Sequence, residues 1–291
     1  MKLRHGQAVV LMVAVTLMWS IAGVITRHLE QARSFEVTFW RSFFTVLSLL
    51  VILPSFQGRE VFAKIRHGGW PLWLSGVCWS VMFTAFMMAL TLTSVANVLV
   101  TMAAGPFLTA VIARVFIGHR IPGRTALAIV IAGAGIAYMY GTQMSADTGM
   151  AGTLVAMFVP IAAGVNWTVT QRSHAQGRDV DLVPAVLVGA AISSMVTLPL
   201  AMPFRASGHD VALLALLGVV QLAIPCALSV LCARVLKAPE ISLLGLLEVI
   251  FGIILAWWGA GEVPTPTVLT GGALVLGALM FNELVGWRQR V

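Results

Sequence analysis

The chain has 291 residues, of which 59% are hydrophobic and only 10% charged, with a formal net charge of +7. Its mean hydropathy is +0.95. A soluble domain carries roughly 45–50% apolar and about 25% charged residues, so this composition excludes a water-soluble globule and points to an all-α polytopic membrane protein. The basic residues lie scattered between apolar segments rather than in one patch, which argues against a nucleic-acid partner.

Apolar stretches long enough to cross a hydrocarbon core of ~30 Å are read at 7–26, 35–54, 70–91, 95–116, 122–141, 151–171, 182–203, 211–233, 240–259 and 265–285. The first follows Lys2 and Arg4 and ends near "SIA" at 20–22, as a signal peptide would. Its apolar run continues to Ile25, so an uncleaved first helix is expected. Trp19 lies inside it. The second span carries Arg41, which has three open roles: snorkelling outward, pairing with Glu36 or Glu30, or holding a substrate carboxylate. The third span contains Trp79 at depth, whereas Trp40, Trp70, Trp73, Trp257, Trp258 and Trp287 sit where interfacial anchors belong.

In the fourth span Asn97 and Thr101 fall at i, i+4, and Gly105-Pro106 is expected to bend the helix. Asn166 and Thr170 repeat the i, i+4 spacing in the sixth span, beside Trp167. Gln221, Pro225 and Ser229 mark the eighth, Pro225 as a second hinge candidate. The amides and hydroxyls suit either solute binding or interhelical hydrogen bonds. The deep tryptophans suit either stacking on a solute or packing. Small-xxx-small spacings at Ala137–Gly141 and Ala273–Gly277 suit close packing in the fifth and tenth spans, which are read as a lipid-side scaffold.

The ninth span, "LLGLLEVIFGIILAWW" (243–258), holds Glu248. Gly245, Glu248 and Gly252 share one helical face. A carboxylate at this depth is a functional candidate by default, either binding an ammonium or taking up a proton, because an apolar site favours the neutral form. A structural role is the alternative. Glu262, in the following turn, reads as a cap or hinge.

With the N-terminus placed in the cytoplasm, 14 of the 18 Lys and Arg residues fall on the inner side. That asymmetry supports ten transmembrane helices with both termini inside. Ten divide as five plus five, 1–145 and 146–291, and an odd-numbered repeat must be inverted. "LMWSIAGVITR" (17–27) is similar to "GVNWTVTQR" (164–172). "GPFLTAVIARVFIGHRIP" (105–122) is similar to "EVIFGIILAWWGAGEVP" (248–264): each ends an apolar helix in Gly, a polar or charged pair, then Pro. Inverted repeats are usual in secondary transporters.

These features resemble the EamA-type families of the drug/metabolite transporter superfamily. The resemblance is carried by "LMWS", "FWRSFF" (39–44), the 89–122 unit, "LLE" (246–248) and "GEVP" (261–264). Two departures stand out: "GHR" at 118–120 replaces the frequent Gly-Glu-Arg, and Val249 stands where a proline often follows the glutamate. The resemblance implies ten helices, a central cavity and transport of small metabolites, commonly efflux of amino acids. A transporter of organic cations or drugs is the first alternative, and a channel or non-transporting scaffold the second.

No HExxH, GxSxG or P-loop motif is present, so neither an enzyme nor an ATP-driven pump is expected. The histidines fall in tails, loops or helix ends, and Cys78, Cys226 and Cys232 show no metal spacing. No cofactor or metal is expected. The expected partners are a small-molecule substrate, the bilayer and a coupling proton; the expected location is the inner membrane. The chain is read as a monomer or a homodimer.

Overall fold

The computed structural model describes residues 4–58, 60–118, 122–144, 150–175, 183–233, 235 and 238–288. Among them there are helices and no strands: α1 (His5–Thr26), α2 (Ser34–Gln57), α3 (Glu60–His67), α4 (Gly69–Leu92), α5 (Val95–Met102), α6 (Gly105–Ile117), α7 (Gly123–Met144), α8 (Met150–Ala175), α9 (Val183–Ala201), α10 (Gly208–Leu216), α11 (Ile224–Ala233), α12 (Ala238–Ala260) and α13 (Pro266–Arg288). This is what a lipid environment demands, since every backbone polar group must be satisfied within the segment. Seven of the described stretches are long and apolar enough to cross a membrane, and 123–138, 150–166 and 247–260 are shorter apolar helices. The chain is therefore a multi-pass membrane protein.

Each of the apolar stretches read from the sequence is helical, and two are interrupted. The 95–116 stretch breaks at Ala103–Ala104, between α5 and α6. Pro106 has no N–H to give the carbonyl four residues back, and the break falls just before Gly105-Pro106, which open α6. The 211–233 stretch contains a π-helical turn, Leu217–Ala223, between α10 and α11. It ends two residues before Pro225, which cannot donate to the carbonyl of Gln221. The wider turn shifts the pattern, and the Ile224 N–H bonds to the carbonyl of Val219.

The short helix α3 replaces an expected loop. It buries Val61 and turns Glu60, Lys64 and Arg66 outward, an amphipathic pattern too short to register as a span.

Packing joins helices distant in sequence. α1 packs on α12, α4 on α8 and α9, α2 on α9 and on the π turn, and α7 on α13. The α7–α13 contact includes a hydrogen bond from the Thr125 hydroxyl to Asn282 Oδ1 at 2.7 Å. Its closest approach is at Gly135, where an added Cβ would lie 2.8 Å from the Gly271 carbonyl. The expected small-residue faces are not the ones used: Ala137, Ala273 and Gly277 are exposed. The reason is the angular offset: Gly135 lies two residues, about 200°, from Ala137 around a helix of 3.6 residues per turn. The Gly141 side of that pattern lies outside the described side chains.

Two helix ends share one turn. α6 closes on Gly118 (φ 72°) and α12 on Gly261 (φ 67°), the left-handed conformation that glycine adopts at a helix C-terminus without a Cβ clash. These are the glycines of the two segments matched in the sequence, Gly118 four residues before Pro122 and Gly261 three before Pro264.

Candidate functional site

The site forms where α2, α4, the π turn, α11 and α12 converge on Arg41. That arginine neither snorkels nor pairs with Glu36 or Glu30. It is 1% exposed, and its Nε donates to Gln221 Oε1 at 3.1 Å. Its guanidinium carbon lies 5.7 Å from the ring centre of Phe83 and 5.6 Å from that of Phe86, within cation–π range. Nη1 is buried with no hydrogen-bond partner. Glu36, the pairing candidate, is instead filled by the backbone N–H groups of Arg205 and Ala206.

Gln221 is nearly buried, at 3% exposure. Its Nε2 donates to the Trp19 carbonyl at 3.3 Å, so one amide links α1, α2 and the π turn. The turn itself lies hard against α2. A Cβ on Gly218 would sit 2.8 Å from the Arg41 carbonyl and 2.9 Å from the Thr45 nitrogen. Only glycine permits that approach, and it is what brings Gln221 within reach of Arg41.

Glu248, near the middle of α12, interacts electrostatically with Arg41 and with Cys226. It is half-buried and makes no hydrogen bond with the described residues. Of its flanking glycines, Gly252 is packed, a Cβ there meeting Leu99 and Ser20, whereas Gly245 has nothing within 4 Å. The face holding the carboxylate is therefore tight toward one end of α12 and open toward the other. Cys226 closes the site from α11, in hydrogen-bonding contact with the Trp19 indole.

The other candidates separate into two groups. Trp79 reaches the site indirectly: its ring lies 5.4 Å from that of Phe83, and its Cβ side presses on Gly189 of α9. Away from Arg41, Asn166 accepts from the Ser75 hydroxyl at 2.6 Å, joining α8 to α4. Asn97 donates to Thr93 at 3.0 Å, leaving Oδ1 buried and without a partner. The Thr101 hydroxyl is spent on the Asn97 carbonyl, and that of Ser229 on the Cys226 carbonyl. The side chains of Trp167 and Thr170 lie outside the described residues.

Sequence reasoning missed Phe83, Phe86, Cys226 and Gly218. Trp79, Phe83 and Phe86 stand at i, i+4 and i+7, an aromatic stripe that was legible in the pattern. It also missed a hydroxyl cluster beside the site, in which Ser193 of α9 meets Ser42 at 3.0 Å and Thr84 at 2.9 Å.

Residues 6–141 match the family model of the EamA-like transporter family. The match spans a little under half of the chain, and over that stretch the chain is similar to this family. The match covers the stretch that carries α1 to α7, including Trp19, Arg41, Phe83 and Phe86, and together with the apolar helices it supports a transmembrane transporter. A solved structure described only as "Crystal structure of protein" is similar in fold, with a TM-score of 0.63 at 15% identity, covering 98% of this chain and 99% of that one. No curated protein matches.

Proposed function

We propose that this protein is an EamA-type secondary transporter that exports an amino acid across the inner membrane by alternating access, with Arg41, Gln221 and Glu248 as its binding groups. One observation carries the reading. A buried guanidinium on α2 and a carboxylate on α12 interact electrostatically, with no hydrogen bond between them and with Nη1 of the guanidinium unpartnered. An α-amino acid presents the complementary pair. Its carboxylate would take the free Nη1 of Arg41, and its ammonium would take Glu248. Phe83, Phe86 and Trp19 would enclose the side chain. An organic cation would meet the Arg41 charge at the same place, which disfavours that alternative. Protonation of Glu248 would remove the anchor for the ammonium and so couple release to a proton.

The architecture that goes with this reading is ten spans in two inverted five-helix repeats, 1–145 and 146–291, with both termini cytoplasmic. Packing supports it. Exchanging each apolar stretch for the one five places along turns α1 on α12 into α8 on α6, and α4 on α9 into the π turn on α2; both members of each pair occur. The α2–α9 and α7–α13 contacts map onto themselves. The matching Gly118 and Gly261 turns agree. An axis of this kind places the substrate site between the halves, where Arg41 and Glu248 lie.

The test is flux into liposomes of labelled amino acids and organic cations, with and without a pH gradient. Expected are saturable amino-acid uptake, a loss of about tenfold or more in Arg41→Gln from removing a buried charged partner, and loss of pH dependence in Glu248→Gln. No flux of any solute, or full flux in both variants, overturns the assignment. The first result would favour a scaffold.

A further inference from the structure

The end of the bundle that holds residues 27–36 is closed by two clasps of unequal strength. In the first, Asp210 of α10 is fully buried, and its carboxylate accepts the N–H groups of Glu30, Gln31 and Ala32, each at 2.8 Å. Glu36 adds the N–H groups of Arg205 and Ala206. Together these bind the α1–α2 connection to the α9–α10 connection through two buried carboxylates.

The second clasp is Arg27. Its Nε donates to Glu262 Oε2 at 2.6 Å, its Nη1 to the Leu90 carbonyl at 2.8 Å and its Nη2 to the Thr93 carbonyl at 2.6 Å. The other oxygen of Glu262 accepts the Val95 N–H. One ion pair thus ties the ends of α1, α4 and α12 to the start of α5. Unlike Asp210 it is partly open to solvent, Arg27 at 28% and Glu262 at 20% exposure, so water can replace its bonds.

Between the clasps lies a cleft of 390 Å³, lined by Thr26, Arg27, Glu30, Arg33, Val37 and Thr91 among others. Val37 and Arg41 are four residues apart on α2, one turn along the same face. Leu90 stands in the same relation to Phe86 on α4. Val37, Leu90 and Ala22 are all 1% exposed or less. They form an apolar floor one helical turn thick between the cleft and the Arg41 site.

We propose that Arg27–Glu262 is the gate at this end of the transport path, that the cleft is the vestibule it opens into, and that the Asp210–Glu36 clasp is the hinge. Breaking the ion pair frees α1 and α12 from α4 and α5 while the α2–α10 side stays joined, and the Val37–Leu90 floor parts. This rests on the reading of Arg41 and Glu248 as the binding site, but its test needs no substrate.

The reporter is the native Cys226, in a protein carrying Cys78→Ala and Cys232→Ala. A membrane-impermeant cationic methanethiosulfonate is added to one face or the other of sealed vesicles, and Gln31→Cys marks the face that bears the cleft. Glu262→Gln keeps an oxygen for the Val95 N–H and removes only the charge. It is expected to speed labelling from the cleft face about two- to fivefold, with no rise from the opposite face. Arg27→Lys, which keeps the charge and loses the carbonyl bonds, falls between. Glu60→Gln, at the other end of the bundle, leaves the rate unchanged, and Cys226→Ser sets the background. Equal rates in Glu262→Gln and its parent, absence of labelling in both, or a rise from both faces overturns the gate. Faster labelling in a protein that moves no amino acid leaves the gate standing and removes the substrate assignment.

Discussion

Gly218→Ala tests the geometry that makes the site. The new Cβ would lie 2.7 Å from the Phe44 Cβ, 2.8 Å from the Arg41 carbonyl and 2.9 Å from the Thr45 nitrogen. None of these is the end of a flexible side chain, so relief requires α2 and the π turn to separate. Ordinary contact begins at 3.4 Å, which sets the movement at about 0.5–0.7 Å, an overpacking that costs about 1–3 kcal/mol. The Arg41–Gln221 bond is 3.1 Å long, and the same movement stretches it to about 3.7 Å, beyond a hydrogen bond. The expected result is a thermal midpoint lowered by several degrees in detergent, together with reduced amino-acid flux. Gly133→Ala is the matched control: nothing lies within 4 Å of its Cβ, and helix propensity predicts a change between zero and about 1 kcal/mol of stabilisation. If Gly218→Ala melts with the wild type and transports normally, the π turn does not set the position of Arg41.

Two further substitutions address neighbouring elements. Pro225→Ala restores the N–H that the Gln221 carbonyl lacks. The π turn is then expected to relax toward α-helix, turning Gln221 by about 100° away from Arg41, so flux falls while the thermal midpoint holds or rises; unchanged flux refutes it. Asp210→Ala removes the acceptor of the Glu30, Gln31 and Ala32 N–H groups, a loss of roughly 2–3 kcal/mol given that hydrogen bonds to a charged group are worth about 1.5–3 kcal/mol each and water can reach part of this connection. Asp210→Asn keeps one acceptor oxygen and loses less, and equal melting of the two refutes the hinge's dependence on that carboxylate.

Hydropathy made the helices legible because a bilayer leaves few alternatives, and proline marked both interruptions. Glu248 was legible for the same reason: one carboxylate in an apolar run has few explanations. Arg41 was only half legible. Its cost at depth was plain, but its partner Gln221 stands 180 residues along the chain, and their meeting depends on a π turn and a bare glycine that no periodicity announces. Of the roles left open for Arg41, snorkelling does not fit its burial, and pairing with Glu36 does not occur because that carboxylate is already filled by backbone donors. Helix α3 was missed because eight residues with one buried apolar position give little signal, and the small-residue faces of α7 and α13 because spacing says nothing of direction.

The central charge pair argues for a solute rather than for stability. A buried N–H without a partner costs about 1–3 kcal/mol, and Nη1 of Arg41 bears that cost with Glu248 nearby and without a hydrogen bond of its own. A structural ion pair would close the distance, since the strength of a buried pair depends on direct geometry. Here Gln221 and the Gly218 contact hold the guanidinium on the α2 side, while Gly252, pressed against Leu99 and Ser20, holds the carboxylate on the α12 side. The two charges are fixed on helices from different halves of the chain, one provided with a rigid backing and the other with an open flank at Gly245. A solute that satisfies both lowers the energy of the state in which the halves meet, and its departure restores the cost, which is the differential a moving transporter needs.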